Sequence, residues 1–334
     1  MRHGPRNWLG SAPLIFNPVN HPVIPALSTL DELGLDGVVD VHVHPLSMIG
    51  EKELLRELEK AKVRKCVLLA LDVNPAELDD EGKARAFVEE MFNAGIWDLN
   101  ALEQAREMLK LARTPNERVS ELVSRHPGLF LGFGSVDPRK PLGQVEETLR
   151  RLEDAGFRGL KLIPTLQFFC PGQVKKALKK ILRFCERSGM VVMFHTGCDP
   201  GPWEAPDLSK CANPALLRPF IRSFGKVNFI LAHAGSYSVR IPGIWFEEAL
   251  ELASSFSNVW LDTAAVPYVI TDRKFLRALK ARGLMGRVLF GSDYPVFVVG
   301  ISDVVREILA SVEMTDEEKA RVLCLNACEL LGFG

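Results

Sequence analysis

The chain has 334 residues, with 41 lysines and arginines against 42 aspartates and glutamates, a net charge of −1. That balance argues against a general nucleic-acid binder and against an acidic disordered tail. Hydrophobic residues at 47% and charged residues at 25% are globular proportions, and the length permits one large α/β domain or two smaller ones.

The chain carries no uncharged apolar run of roughly 18 residues, so no membrane span is expected. The N-terminus has no apolar stretch after its basic residues, so no signal peptide is expected either. The seven cysteines (Cys66, Cys170, Cys185, Cys198, Cys211, Cys324 and Cys328) are irregularly spaced and do not read as a disulfide framework. They predict a reduced, cytoplasmic protein.

Residues 1–35, with Pro5, Pro13, Pro18, Pro22 and Pro25, read as an extended segment packed on the domain that follows. The first strand is VVDVHV from Val38. EKELLRELEKAK then sets Leu54, Leu55, Leu58 and Ala61 on one helical stripe. The second strand is RKCVLLALD from Arg64. The third, LFLGFGSVD, starts only at Leu129, a gap of 129 − 64 = 65 residues. Residues 73–118 in that gap read as a helical insertion, with Phe87, Met91, Phe92, Ile96 and Trp97 as its large apolar residues. It starts just after a strand and is expected to be a lid or rim, or else packing or a subunit contact.

Beyond the gap the alternation is regular. QVEETLRRLEDAG places Val145, Leu149 and Leu152 on a stripe, and FRGLKLI from Phe157 is the fourth strand. VKKALKKILRFCERSG follows with Val174, Leu178, Ile181 and Cys185. MVVMFH from Met190, VNFILAH from Val227, NVWLDT from Asn258 and RVLFGSD from Arg287 complete the set. Near-continuous apolar strands suit a parallel sheet covered on both faces. Eight of them, most about thirty residues apart, predict a (β/α)8 TIM barrel spanning residues 36–334. A doubly wound sheet is disfavoured because no GxGxxG turn follows the first strand.

Barrel enzymes carry their chemistry at the C-terminal ends of the strands. His42 and His44 end the first strand, His195 the fifth, His233 the sixth and Asp293 the eighth. His42 and His44 are two apart, so both imidazoles project to one face with Asp40 beside them. Converging imidazoles and a carboxylate suit a divalent cation, zinc first and manganese second. His3, His21 and His126 lie outside such positions, and His126 reads as structural.

The chain resembles the amidohydrolase superfamily, in its amidohydrolase-2 branch of metal-dependent hydrolases and non-oxidative decarboxylases. The matching pieces are DVHVH at 40–44, RHPGLFLGFGSVDP at 125–138, AGFRGLKLIP at 155–164 and FHTG at 194–197. They continue in the family's order with LAHAG at 231–235, NVWLDT at 258–263, LFGSDYP at 289–295 and NACELLG at 326–332. The resemblance implies one metal held by His42, His44, His195 and Asp293. It implies that Asp293 also exchanges a proton with the metal's water, and that His233 acts as a catalytic acid or base. Binuclear branches carboxylate a fourth-strand lysine. In this branch Lys161 is expected instead to meet a substrate carboxylate, or to pair with Asp40 or Asp262.

Two reactions follow from the resemblance: attack of a metal-activated water on a small lactone, ester or amide, or decarboxylation of a small aromatic or unsaturated acid. A barrel without catalysis is the reading from another class. The expected partner is a small molecule, with no nucleic acid and no membrane, and homo-oligomerisation is left open. Arg240, after the sixth strand, is a candidate for holding an anionic substrate. Asp262 reads as a structural pair or a catalytic group, and Cys198 as packing. Thr315 and Glu318 form a capping box, and Cys324 and Cys328 are a helical pair.

Overall fold

The computed structural model describes residues 28–96, 98, 100–297 and 299–332. Most of the N-terminal extension, with His3 and His21, and Trp97 of the insertion lie outside the described residues. Eight parallel strands follow one another in sequence order: β1 (Val38–Val43), β2 (Val63–Leu69), β3 (Phe130–Ser135), β4 (Gly159–Leu162), β5 (Val191–Gly197), β6 (Phe229–Tyr237), β7 (Val259–Asp262) and β8 (Val288–Leu289). The residues after β8 return to β1: the Val41 N–H donates to the Phe290 carbonyl, and the Asp293 N–H to the His42 carbonyl. The protein is a TIM barrel.

The three predicted apolar stripes each lie in a helix. In α1 (Glu51–Lys60), Leu54 and Leu58 are buried against the barrel. Val145, Leu149 and Leu152 do the same in the helix Leu142–Asp154. Leu178, Ile181 and Cys185 do so in Lys175–Ser188, which ends at Gly189 in the left-handed conformation. β8 is shorter than predicted. Its ladder stops at Leu289 because the Phe290 N–H turns to the Val322 carbonyl. Of the N-terminal extension, Leu30 and Leu35 are buried in the barrel core.

The gap between β2 and β3 holds α2 (Glu81–Asn93), α3 (Ala101–Ala112) and α4 (Asn116–Arg125). α4 is the ordinary crossover helix, with Val119 and Leu122 in the barrel core. The insertion proper therefore ends near residue 115, three residues before the predicted boundary. α2 and α3 build a second, smaller core. Leu78, Phe87, Met91, Ala105 and Leu109 pack there with Ile163 and Leu166 from the loop after β4, and with Trp203 and Leu208 from the loop after β5. Both loops leave the C-terminal face, so the insertion is seated on that face.

The cysteine reading needs one correction. Cys170 and Cys211 form a disulfide across 41 residues, with Cα atoms 4.8 Å apart. Cys170 follows β4 and Cys211 follows β5, so the bond ties together the two loops that carry the insertion. Chain spacing cannot reveal a pairing made only by barrel topology. This bond removes the cysteines as grounds for a reducing compartment. No helix among the described residues is long and apolar enough to cross a membrane.

Candidate metal centre

The alternation of β1 points His42 and His44 to the same side, and both are buried. Their Nε2 atoms lie 3.3 Å apart. Asp293 completes a triangle: its Oδ1 is 3.3 Å from Nε2 of His42 and 3.4 Å from Nε2 of His44. A tetrahedral zinc site with bonds of about 2.0–2.1 Å has donor–donor edges of roughly 3.3–3.4 Å. The triangle has the size of one such face.

Asp262 sets the tautomer of His42. Its Oδ2 lies 2.9 Å from Nδ1 of His42, so that nitrogen carries the proton and Nε2 keeps a lone pair. The other oxygen of Asp262 accepts the backbone N–H groups of His233 and Ala264. The sequence left Asp262 between a structural and a catalytic role; in the structure it orients the site. Asp40 ties β1 to the segment after β8, with Oδ1 accepting the N–H groups of His42 and Ser292. Burial pushes its carboxyl up to about 7.

His195 and His233 stand beside the triangle. Nδ1 of His233 is 2.7 Å from the Ala264 carbonyl oxygen, and Nε2 is 3.1 Å from Nδ1 of His195. A carbonyl only accepts, so neutral His233 carries its proton on Nδ1 and accepts at Nε2. His195 then donates from Nδ1, and its Nε2 is a bare lone pair. Burial first, and then the Lys161 ammonium and neighbouring histidines, hold His42 and His195 well below the usual histidine range. Burial, then His195 and His42, does the same to His233. All three are neutral imidazoles, the form that binds metal.

Two buried atoms of this cluster have no hydrogen-bond partner among the described residues: Nε2 of His195 and Oδ2 of Asp293. Orphaned lone pairs on an imidazole and a carboxylate are what a divalent cation satisfies. The residues present therefore fit a metal ion. His42, His44 and Asp293 converge as donors, while the free nitrogen of His195, the fourth ligand the sequence predicted, lies outside that triangle, 3.4 Å from Asp199.

Lys161 is buried on β4 with its ammonium 3.0 Å from Nε2 of His42 and 3.5 Å from the Met193 sulfur. It makes no ion pair with Asp40 or Asp262, the alternatives the sequence offered. Burial lowers its pKa to about 8, against the opposing pull of Asp262, Asp293 and Asp199. Arg240 is exposed at the rim, outside the cluster.

Three residues near the site had no signal in the strand pattern. Asp199, just past β5, is buried 3.4 Å from Nε2 of His195 and accepts the Thr165 hydroxyl. Burial pushes its carboxyl up to about 7. The Tyr237 ring lies over His233 with centroids 4.5 Å apart and a 31° tilt, and 5.7 Å from His195. Glu204 accepts from the loop after β6.

The backbone carries strain where the chemistry sits. His233 (φ 61°) and Asp293 (φ 60°) both occupy the left-handed region, which costs of order 1–3 kcal/mol for such residues. Asp262 holds the first by its N–H, and the His42 carbonyl holds the second. Gly291 leaves room for this arrangement, since a Cβ there would come within 2.8 Å of the His42 Cβ. A cavity of about 480 Å³ lies elsewhere, between the insertion and the helix Leu142–Asp154. It is lined by Asp72, Glu77, Arg113, Asp137 and Arg139 among others, and by none of the four histidines. The side chains of the donor cluster are almost wholly excluded from solvent.

Among solved structures, an uncharacterized TIM-barrel protein from Bordetella bronchiseptica matches at 16% identity and a TM-score of 0.65, covering 89% of this chain and 98% of that one. A probable 2-pyrone-4,6-dicarboxylic acid hydrolase from Acinetobacter baumannii, with citric acid bound, matches at 14% identity and a TM-score of 0.58, covering 89% and 100%. A 5-carboxyvanillate decarboxylase from Novosphingobium aromaticivorans, complexed with manganese, matches at 16% identity and a TM-score of 0.56, covering 85% and 80%. At these identities the likeness shows the fold. No curated protein matches the chain. The family described as amidohydrolase matches residues 39–333, almost the whole chain; with the barrel and its strand-end histidines, the chain belongs to the amidohydrolase family.

Proposed function

We propose that the protein is a metal-dependent hydrolase of a small lactone, ester or amide, working with one divalent ion, zinc before manganese. The observation that carries the reading is the triangle of His42, His44 and Asp293 donors, with the orphaned Oδ2 of Asp293 beside it. His195 would add its free Nε2 to the donor set. The ion would supply Lewis acidity and a water acidified towards neutrality. Asp293 has a second oxygen free to take that water's proton and deliver it to the leaving group. His233 would act as the acid or base through Nε2, the lone pair that accepts from His195 here and would take up a proton. Lys161 is the buried cation of the site and would meet a carboxylate or carbonyl oxygen of the substrate.

A second reading is favoured by Lys161 and by one structural likeness. A buried ammonium beside the donors suits a carboxylic acid, and a manganese-bound decarboxylase shares the fold. The site would then decarboxylate a small aromatic or unsaturated acid, with Asp293 or His233 protonating the ring carbon. The test is one screen of the zinc- and manganese-loaded protein on lactones, esters and amides, beside aromatic and unsaturated acids with carbon dioxide detection. Turnover of a carbonyl substrate without carbon dioxide supports the hydrolase. Carbon dioxide release replaces it with the lyase. No turnover in either arm, with metal bound, overturns both.

The ligand and proton roles separate by mutation. His42→Ala and Asp293→Ala should lose metal and activity together. His233→Asn should keep the metal and lose about 10²–10⁴ in rate. Loss of metal in His233→Asn, read by elemental analysis, would make His233 a ligand.

A further inference from the structure

Trp203 and Glu204 are adjacent in the loop after β5, and their side chains serve two different neighbours. Trp203 is buried in the satellite core, its ring 5.2 Å from Phe87 of α2 and 6.2 Å from Phe168 of the loop after β4. Glu204 is buried against the loop after β6. Its Oε1 accepts the Ser238 hydroxyl at 2.6 Å, the Val239 N–H at 2.9 Å and the Arg240 N–H at 3.1 Å. The Ser238 hydroxyl oxygen in turn accepts the Ile241 N–H at 2.9 Å. One carboxylate thus organises residues 238–241, and a charged acceptor makes these bonds stronger than neutral ones.

The residue before this arc is Tyr237, whose ring covers His233 and approaches His195. A continuous chain of contacts therefore runs from the insertion through Trp203, Glu204 and the 238–241 arc to the two histidines beside the metal donors. The Lys210–Glu90 ion pair at 2.6 Å adds a second tie between the loop after β5 and α2. The donors themselves are almost wholly buried.

We propose that Glu204 is a positioning residue that couples the insertion to the site: the insertion and the loop after β5 move together, and Glu204 carries that movement to the 238–241 arc and the Tyr237 ring. Movement of the insertion and release of Tyr237 from His233 are then one event. Nothing in this chain of contacts requires a particular substrate. Only the metal-uptake readout below rests on the metal-centre reading.

The test compares Glu204→Ala, Glu204→Gln and Trp203→Leu in the full chain, with Trp203→Phe as the milder form if leucine does not fold. Hydrogen exchange of residues 237–241 is followed by mass spectrometry, and zinc uptake by stopped-flow competition with a fluorescent chelator. Glu204→Ala should speed exchange in 237–241 at least tenfold and speed zinc uptake, with stoichiometry unchanged. Glu204→Gln keeps an acceptor oxygen and should restore most of the protection. The deciding variant is Trp203, whose ring packs on the insertion side: its substitution should also speed exchange in 237–241. Faster exchange with Glu204→Ala but none with the Trp203 variants would overturn the coupling and leave Glu204 a local loop anchor. Equal loss of protection in the Ala and Gln variants would overturn the acceptor role. If the protein takes up no zinc, the metal reading fails, while the exchange experiment still decides the coupling.

Discussion

His42 illustrates how a strand-end side chain is held in place as a candidate metal donor. β1 aims it inward, Asp262 fixes its proton on Nδ1, and Gly291 leaves the space in which its Cβ sits. The HxH pair and the other strand-end groups were legible in the sequence because a barrel strand has a period of two and a defined functional end. The tautomer was not legible, since it depends on Asp262 lying 220 residues away. Asp262→Asn should preserve the fold and lower zinc affinity by about 10–100-fold, as for partners that orient a metal-ligating histidine. An amide can present its NH2 group to Nδ1, which favours the wrong tautomer. Competition titration against a chelator checks this; an affinity equal to that of the parent protein would show that Asp262 serves the fold alone.

The insertion was readable as helical from its composition, but its seat was not. The apolar residues of α2 and α3 show only that these helices bury something. That they bury Trp203, Ile163 and Leu166 follows from loops that lack periodicity. Asp199, Glu204 and Tyr237 escaped the sequence for the same reason: Asp199 and Glu204 lie beyond the strand pattern, and Tyr237 at its fringe. The insertion is also pinned by charge. Glu77 is buried and accepts hydrogen bonds from Arg139 and from Lys83. Burial alone would raise its pKa, but these partners outweigh it and the carboxyl is lowered from 4.5. A lowered folded value means stability that is present above the unfolded pKa and lost as pH falls through the folded one. Acidification below about 4.5 should therefore loosen the contact of residues 75–79 with Arg139. Hydrogen exchange there should rise as pH falls, after correction for the intrinsic rate. In Glu77→Gln that part of the pH dependence should disappear. An identical pH profile in parent and variant would rule Glu77 out as the acid-sensitive pin.

The order of strands around the whole barrel was readable because each βα unit is local: every strand pairs with its neighbour in sequence, and about thirty residues suffice for the crossover. Closure is where local reading ends. The segment after β8 reaches β1 through hydrogen bonds that also bring Asp293 to His42 and His44. Sealing the barrel and assembling the donor triangle are thus the same contacts, and occupancy of the site should be felt by the whole fold. A ligand that binds only the folded state stabilises it by about 2.7 kcal/mol at a free concentration of 100 Kd. For a domain of this size that corresponds to a rise in Tm of several degrees. Metal-free protein titrated with zinc should show this rise, saturating at one equivalent per chain, and a chelator should reverse it. His42→Ala should abolish the response. An unchanged Tm in the parent protein, with no zinc retained after desalting, would mean that the triangle holds no ion. Saturation at two equivalents would instead place a second ion in the chain, with His195 and Asp199 as the first donors to examine.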